Sequence, residues 1–146
     1  MALKISTGLA NALLNTGGLK EALAGMHLYI YSGSEPASAD ASLGSAVMLC
    51  DVSGDGAGDA LLLGTPVDGT IEKDAAQVWQ GTCAATGTAA FFRLALPADA
   101  GDLSTTAVRI QGTVGVAGKD LNISSVSLTA AAIQKVEFAS ITQPKQ

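Results

Sequence analysis

From residue 26 the chain alternates apolar and polar side chains: Met26, Leu28 and Ile30 are interleaved with His27, Tyr29 and Tyr31. A period of two is what a strand with one buried face requires, and it assigns His27, Tyr29 and Tyr31 to the outer face. Short segments of the same kind recur at residues 46–52, 59–63, 77–84, 89–96, 108–116, 121–128 and 135–141. Clusters of Gly, Pro, Asp and Ser separate them, and these residues favour turns over strands. In 121–128, Leu121 and Ile123 alternate, then the phase slips to Val126 and Leu128. An extra residue at Ser124 and Ser125 predicts a β-bulge there. About eight short strands predict a mainly β fold, an antiparallel β-sandwich or jelly-roll-like body. No helical pattern falls between the strands, which argues against a parallel α/β sheet.

Ahead of residue 26 the period is helical. Ser6 or Thr7 can cap a helix whose face carries Leu9, Ala10, Leu13 and Leu14, and Gly17 and Gly18 supply a left-handed stop. A second piece at 19–24 ends at Gly25. Neither reaches the roughly 12–15 residues at which an isolated helix becomes marginal in water, so the apolar face must pack on the body or on a partner. Residues 1–25 are thus expected as a helical lead-in or arm, and 26–146 as the β domain. The loop at 32–45 (SGSEPASADASLGS) is small, acidic and long, and reads as mobile. The loop at 97–106 (PADAGDLSTT) is similar but shorter. The tail from Ile141 to Gln146 reads as a strand running into solvent or toward a neighbour.

Composition changes the picture in one respect. The chain has 146 residues, one domain's worth, and only 14% are charged, against about 25% in ordinary soluble domains. Soluble surfaces normally carry charge to resist self-association, so sparse charge points to a subunit covered by neighbours, with a homo-oligomer expected. Mean hydropathy is +0.36, but no stretch approaches the roughly 18 uninterrupted apolar residues of a spanning helix, and membrane insertion is not expected. The net charge is −5 and no Lys/Arg cluster exists, which argues against direct nucleic-acid binding. The first residues lack the basic start and apolar stretch of a secretory signal. Synthesis in a reducing cytoplasm, with Cys50 and Cys83 as free buried thiols, is therefore expected.

Asp51, Asp55 and Asp59 form the one regularly spaced acidic cluster, DVSGDGAGD. Hard oxygens at a turn suit Ca²⁺, but Leu62 stands where a calcium loop needs its bidentate Glu. A Gly/Asp hairpin turn is the simpler reading, with no metal. The glycines at 54–58 and 112–118 do not lie between a strand and a helix start, so they are turns or small strand positions and not phosphate cradles. His27 is the sole histidine. On the outer face of the first strand it reads as solvated or at an interface, and no Ser sits in a nucleophile elbow. No catalytic residue and no cofactor are assigned. Trp79, the lone tryptophan, is either an interface anchor or a core residue.

Four segments carry a resemblance: residues 1–14 (MALKISTGLANALL), 30–33 (IYSG), 103–115 (LSTTAVRIQGTVG) and 120–129 (DLNISSVSLT). Together they resemble small structural proteins of tailed bacteriophages, most closely capsid decoration (cement) proteins. The resemblance implies a non-enzymatic virion component, made in the host cytoplasm, that binds the major capsid protein or other virion subunits and stabilises the shell. Leu9, Leu13, Leu14, Tyr29, Tyr31 and Trp79 are the candidate contacts. A tail tube, completion or baseplate subunit is one alternative. A carbohydrate- or receptor-binding β-sandwich is another.

Overall fold

The computed structural model describes residues 3–15 and 17–143. It opens with a two-residue strand, β1 (Lys4–Ile5), followed by helix α1 (Thr7–Asn15) and a single turn, α2 (Leu19–Ala22). Ser6 is the cap: its Oγ accepts the Leu9 N–H at 3.1 Å, satisfying one of the orphan donors of the first turn. Gly17 (φ +126°) and Gly25 (φ +86°) supply left-handed backbone after each helical piece.

The alternation at 26–31 becomes β2 (His27–Ser32), the centre of the main sheet. On one side it pairs with β3 (Val47–Gly54), which continues to β5 (Trp79–Thr82) and β11 (Ile133–Val136). On the other side lie β7 (Phe91–Ala95), β8 (Ile110–Gly115) and β1. All these pairs are antiparallel. A short β9 (Leu121–Asn122) adds in parallel to β8. Two small antiparallel sheets complete the fold, β4 (Thr70–Glu72) with β12 (Ser140–Thr142), and β6 (Gly87–Thr88) with β10 (Ser127–Leu128). The protein is mainly β, with one large antiparallel sheet and a short N-terminal helix, as the periodicity implied.

Three expected strands behave differently. Residues 59–63 form no strand; they make two isolated bridges, Asp59 to Gly54 and Leu63 to Lys73, and separate backbone bonds from Leu61 to Met26 and from Asp74 to Leu62. The segment 121–128 is not one bulged strand. It divides into β9 and β10, which serve different sheets, and Ser125 Oγ turns the chain between them by accepting the Ser127 N–H at 3.2 Å. Residues 135–141 likewise divide between β11 and β12. A register shift does occur, but in β2, between Ile30 and Tyr31 against β3. The strands β1, β4 and β6 are too short to register as periodicity.

Cross-strand partners share a face, so Leu28 with Leu94, Ile30 with Phe92, and Leu94 with Ile110 lay down one apolar surface. Leu9, Met26, Cys50, Val52, Trp79, Leu121 and Val136 join this core. Ile71 of β4 and Ile141 of β12 meet it, lining with Leu28, Trp79 and Phe92 an apolar cavity of about 260 Å³. Two glycines permit close approaches of backbone. A Cβ on Gly81 would stand 1.9 Å from the Asp51 carbonyl oxygen, and one on Gly8 would stand 2.3 Å from that of Thr106. No helix among the described residues is long and apolar enough to cross a membrane.

Candidate functional site

The second face of the main sheet begins with the residues assigned outward by the alternation. Tyr29 pairs with Arg93, Tyr31 with Phe91, and Arg93 in turn with Gln111. That face is covered. Arg93, Arg109 and Gln111 are each 1% exposed or less, and each sends at least one donor to the loop at 33–46. Arg93 donates to Gln111 Oε1 at 2.6 Å and to the Ala41 carbonyl at 3.1 Å. Gln111 Nε2 donates to the Pro36 carbonyl at 2.8 Å. Arg109 grips Asp99 and also donates to the Ala39 and Asp102 carbonyls at 3.1 and 2.8 Å. Lys4 closes the rim with an ion pair to Glu35 at 3.0 Å.

This corrects the expectation of a mobile loop. The segment buries only Ala39 of its apolar residues, but its carbonyls satisfy buried guanidinium groups, which fixes it in place. Gln, Asp and carbonyl oxygens thus solvate two buried cations. Burial works to lower the Arg93 pKa, as does the neighbouring charge of Arg109. Arg93 Nη1 is buried without a hydrogen-bond partner.

Between the pinned loops lies a cleft of about 290 Å³. Its floor is Tyr29, Tyr31, Met48 and Arg93, and its walls are Leu43 on one side and Pro97 on the other. The Leu43 N–H donates to the Gly101 carbonyl at 2.9 Å, tying the two walls together. Tyr31 stacks on Phe91 with ring centroids 5.1 Å apart, which holds it in place. Burial, reinforced by the Asp51 charge, pushes the Tyr29 hydroxyl up to about 12. Burial also raises Tyr31. Both phenols are therefore neutral near pH 7, each offering a flat apolar ring with a polar tip.

His27 is on the expected face but is not solvated: it is 6% exposed. Its Nδ1 faces Asp51 Oδ1 at 2.8 Å and its Nε2 faces the Gly58 carbonyl at 3.2 Å. A neutral imidazole carries one N–H and can donate to only one of these two oxygens, and neither contact is with a hydroxyl or thiol. The rest of the acidic cluster is a turn. Asp55 has φ +54° and accepts the Val78 N–H at 3.0 Å, while the Gly54 N–H donates to the Asp59 carbonyl at 2.7 Å. Among the described residues no group of three or more His, Cys, Asp or Glu is placed to hold a metal ion.

The candidate contacts separate into three groups. Leu9 and Trp79 are core residues, 0% and 2% exposed. Leu13 is half-buried against the core. Leu14 stands 89% exposed, which corrects the shared face assigned to it. Leu9 and Leu13 are four residues apart and align, whereas Leu14 is rotated a further ~100° around the helix. Only Tyr29 and Tyr31 come together at one site, the cleft. Sequence reasoning missed Arg93, Arg109, Gln111 and Asp99. For the first three the one signal was an Arg or Gln in the Tyr29 phase of strongly apolar segments, as in FFRLA and VRIQG, and Asp99 gave none. No family model, no curated protein and no solved structure matches this chain.

Proposed function

We propose that this chain is a non-enzymatic structural protein of a bacteriophage virion that binds the assembled capsid and stabilises it. A ligand that binds only the assembled shell shifts the equilibrium toward that shell by mass action. The observation that carries the reading is the cleft at Tyr29, Tyr31 and Met48. It is a mixed polar and apolar groove, floored by two tyrosines and Met48 and also lined by Arg93 and Asp99, whose walls are fixed by buried Arg–carbonyl bonds. Preorganised aromatic anchors are what a protein–protein contact uses, since little ordering entropy remains to be lost on binding. Sparse charge agrees, and so do exposed Leu14, Val67, Leu103 and Phe138, each more than 60% open.

The test is co-sedimentation with undecorated phage shells, with light scattering of the free protein beside it. A discrete small oligomer that pellets with shells and raises their disruption temperature supports the reading. The double variant Tyr29→Ala, Met48→Asp is expected to keep its fold and lose the pelleting. A large ring in solution, with no shell binding, would instead assign the protein to the tail.

A further inference from the structure

We propose that Cys50 and Cys83 are the two halves of a cross-strand disulfide, made by exchange with a small-molecule disulfide such as oxidised glutathione. The two residues stand directly opposite each other on antiparallel backbone. The Ala84 N–H donates to the Leu49 carbonyl at 2.8 Å, so the ladder bond belongs to the adjoining pair. Cys83 spends its own N–H and carbonyl on the other side, on Ala132 and Ala131. Cys50 and Cys83 are therefore a non-hydrogen-bonded pair. In such pairs the Cα atoms lie about 4.5 Å apart with side chains close on one face. A disulfide spans Cα separations of about 4.4–6.8 Å, so the backbone is already within reach of the bond.

The thiols are also already together. Burial first and the neighbouring Cys83 thiol second push the Cys50 thiol up to about 12. Both residues are buried, at 0% and 3% exposure. The thiolate that attacks a disulfide is thus suppressed while β3 and β5 are closed, and exchange proceeds when they part, during folding or local opening. One Cys thiolate attacks the glutathione disulfide and releases one reduced glutathione. The second Cys then attacks the mixed disulfide and releases the other. Two thiols lose two electrons to the oxidant, and their protons end on the two glutathione thiols. The product ties β5 and β11 to the rest of the sheet and shortens the free chain of the unfolded state. This inference stands independently of the capsid reading, although a virion leaving the cytoplasm would meet such oxidants outside.

The experiment is refolding of the reduced protein with excess oxidised glutathione, quenching with N-ethylmaleimide and measuring the intact mass. The expected product is a folded chain about 2 Da lighter than the reduced one, free of adducts, with melting raised by about 5 °C and returned to its starting value by dithiothreitol. Peptide mapping should join residue 50 to residue 83. Cys50→Ala and Cys83→Ala should each lose the oxidant-dependent gain. A folded wild-type product bearing two maleimide or glutathione adducts would overturn the proposal, and this readout needs no variant to fold.

Discussion

Arg109 holds Asp99 in a two-pronged ion pair, Nε to Oδ2 at 2.6 Å and Nη2 to Oδ1 at 2.7 Å, with side chains only 1% and 10% exposed. The remaining Arg109 donors reach the carbonyls of residues on both flanking loops. One buried cation therefore joins β8 to the two segments that frame the tyrosine cleft.

Acid should undo this arrangement. Burial pushes the Asp99 carboxyl up, but the Arg109 hydrogen bonds, the Gly101 N–H and the charges of Arg109 and Arg93 outweigh it and hold the pKa below the ordinary carboxylate value. Asp40 is lowered as well, by the Thr7 hydroxyl and then the Thr7 N–H. A depressed folded pKa gives stabilisation that is complete above the unfolded value, about 4, and is lost as pH falls through the folded one. Urea midpoints followed by Trp79 fluorescence should be flat from about pH 7 to 5 and fall below about 4. Asp99→Asn should lower the neutral-pH stability by about 3–5 kcal/mol, because the buried Arg109 keeps its charge without a counter-charge.

The two tyrosines give a spectroscopic check at the other end of the pH scale. They are the only tyrosines in the chain, so absorbance at ionisation reports on the cleft alone. In the folded protein Tyr29 should titrate near 12, with Tyr31 also raised, whereas denatured protein should titrate near 10. Raised folded values mean that this contribution is intact below about pH 10 and disappears as pH climbs through the folded values. Ionisation of both phenols near 10 in the folded protein would contradict the covered face.

Leu9 and Leu14 should behave oppositely. Leu9→Ala removes a fully buried side chain and should cost about 2–5 kcal/mol in denaturant unfolding. Leu14→Asp places a charge in solvent and should change stability by no more than about 0.5 kcal/mol. The reverse ranking would mean that the other face of α1 is packed.

Gly8→Ala sets propensity against packing. Alanine gains about 1 kcal/mol over glycine in a helix interior, yet its Cβ would meet the Thr106 and Ala107 carbonyl oxygens at 2.3 and 2.5 Å. The variant should therefore be less stable than wild type, and Gly81→Ala, at 1.9 Å from backbone, should be worse still. Thermal melts of the two variants decide this directly.

Chelator should leave the melting temperature unchanged. The Asp51 carboxylate is engaged by His27 and that of Asp55 by the Val78 N–H, so the two serve different neighbours and do not converge on one point. Calcium-dependent stabilisation in the same melt would restore the metal reading of that turn.

Local chemistry was enough to determine much of this protein. The period of two at Met26, Leu28 and Ile30 fixed the core face of β2, because adjacent side chains in a strand must point to opposite sides. Ser6 and Thr7 together marked the helix start, and of the two it is the Ser6 Oγ that takes an amide three residues on. Tertiary structure alone decided the fate of the other face. How Tyr31 is enclosed depends on Arg93 and Arg109 meeting loop carbonyls some 50 to 70 residues away, His27 is closed in by Asp51 and the Gly58 carbonyl, and no local pattern encodes contacts at such separations. The same holds for the division of 121–128 between two sheets and for the register that sets Cys50 opposite Cys83. Periodicity states which side of a strand is apolar, and only the assembled sheet determines which strand lies beside it and what closes over its back.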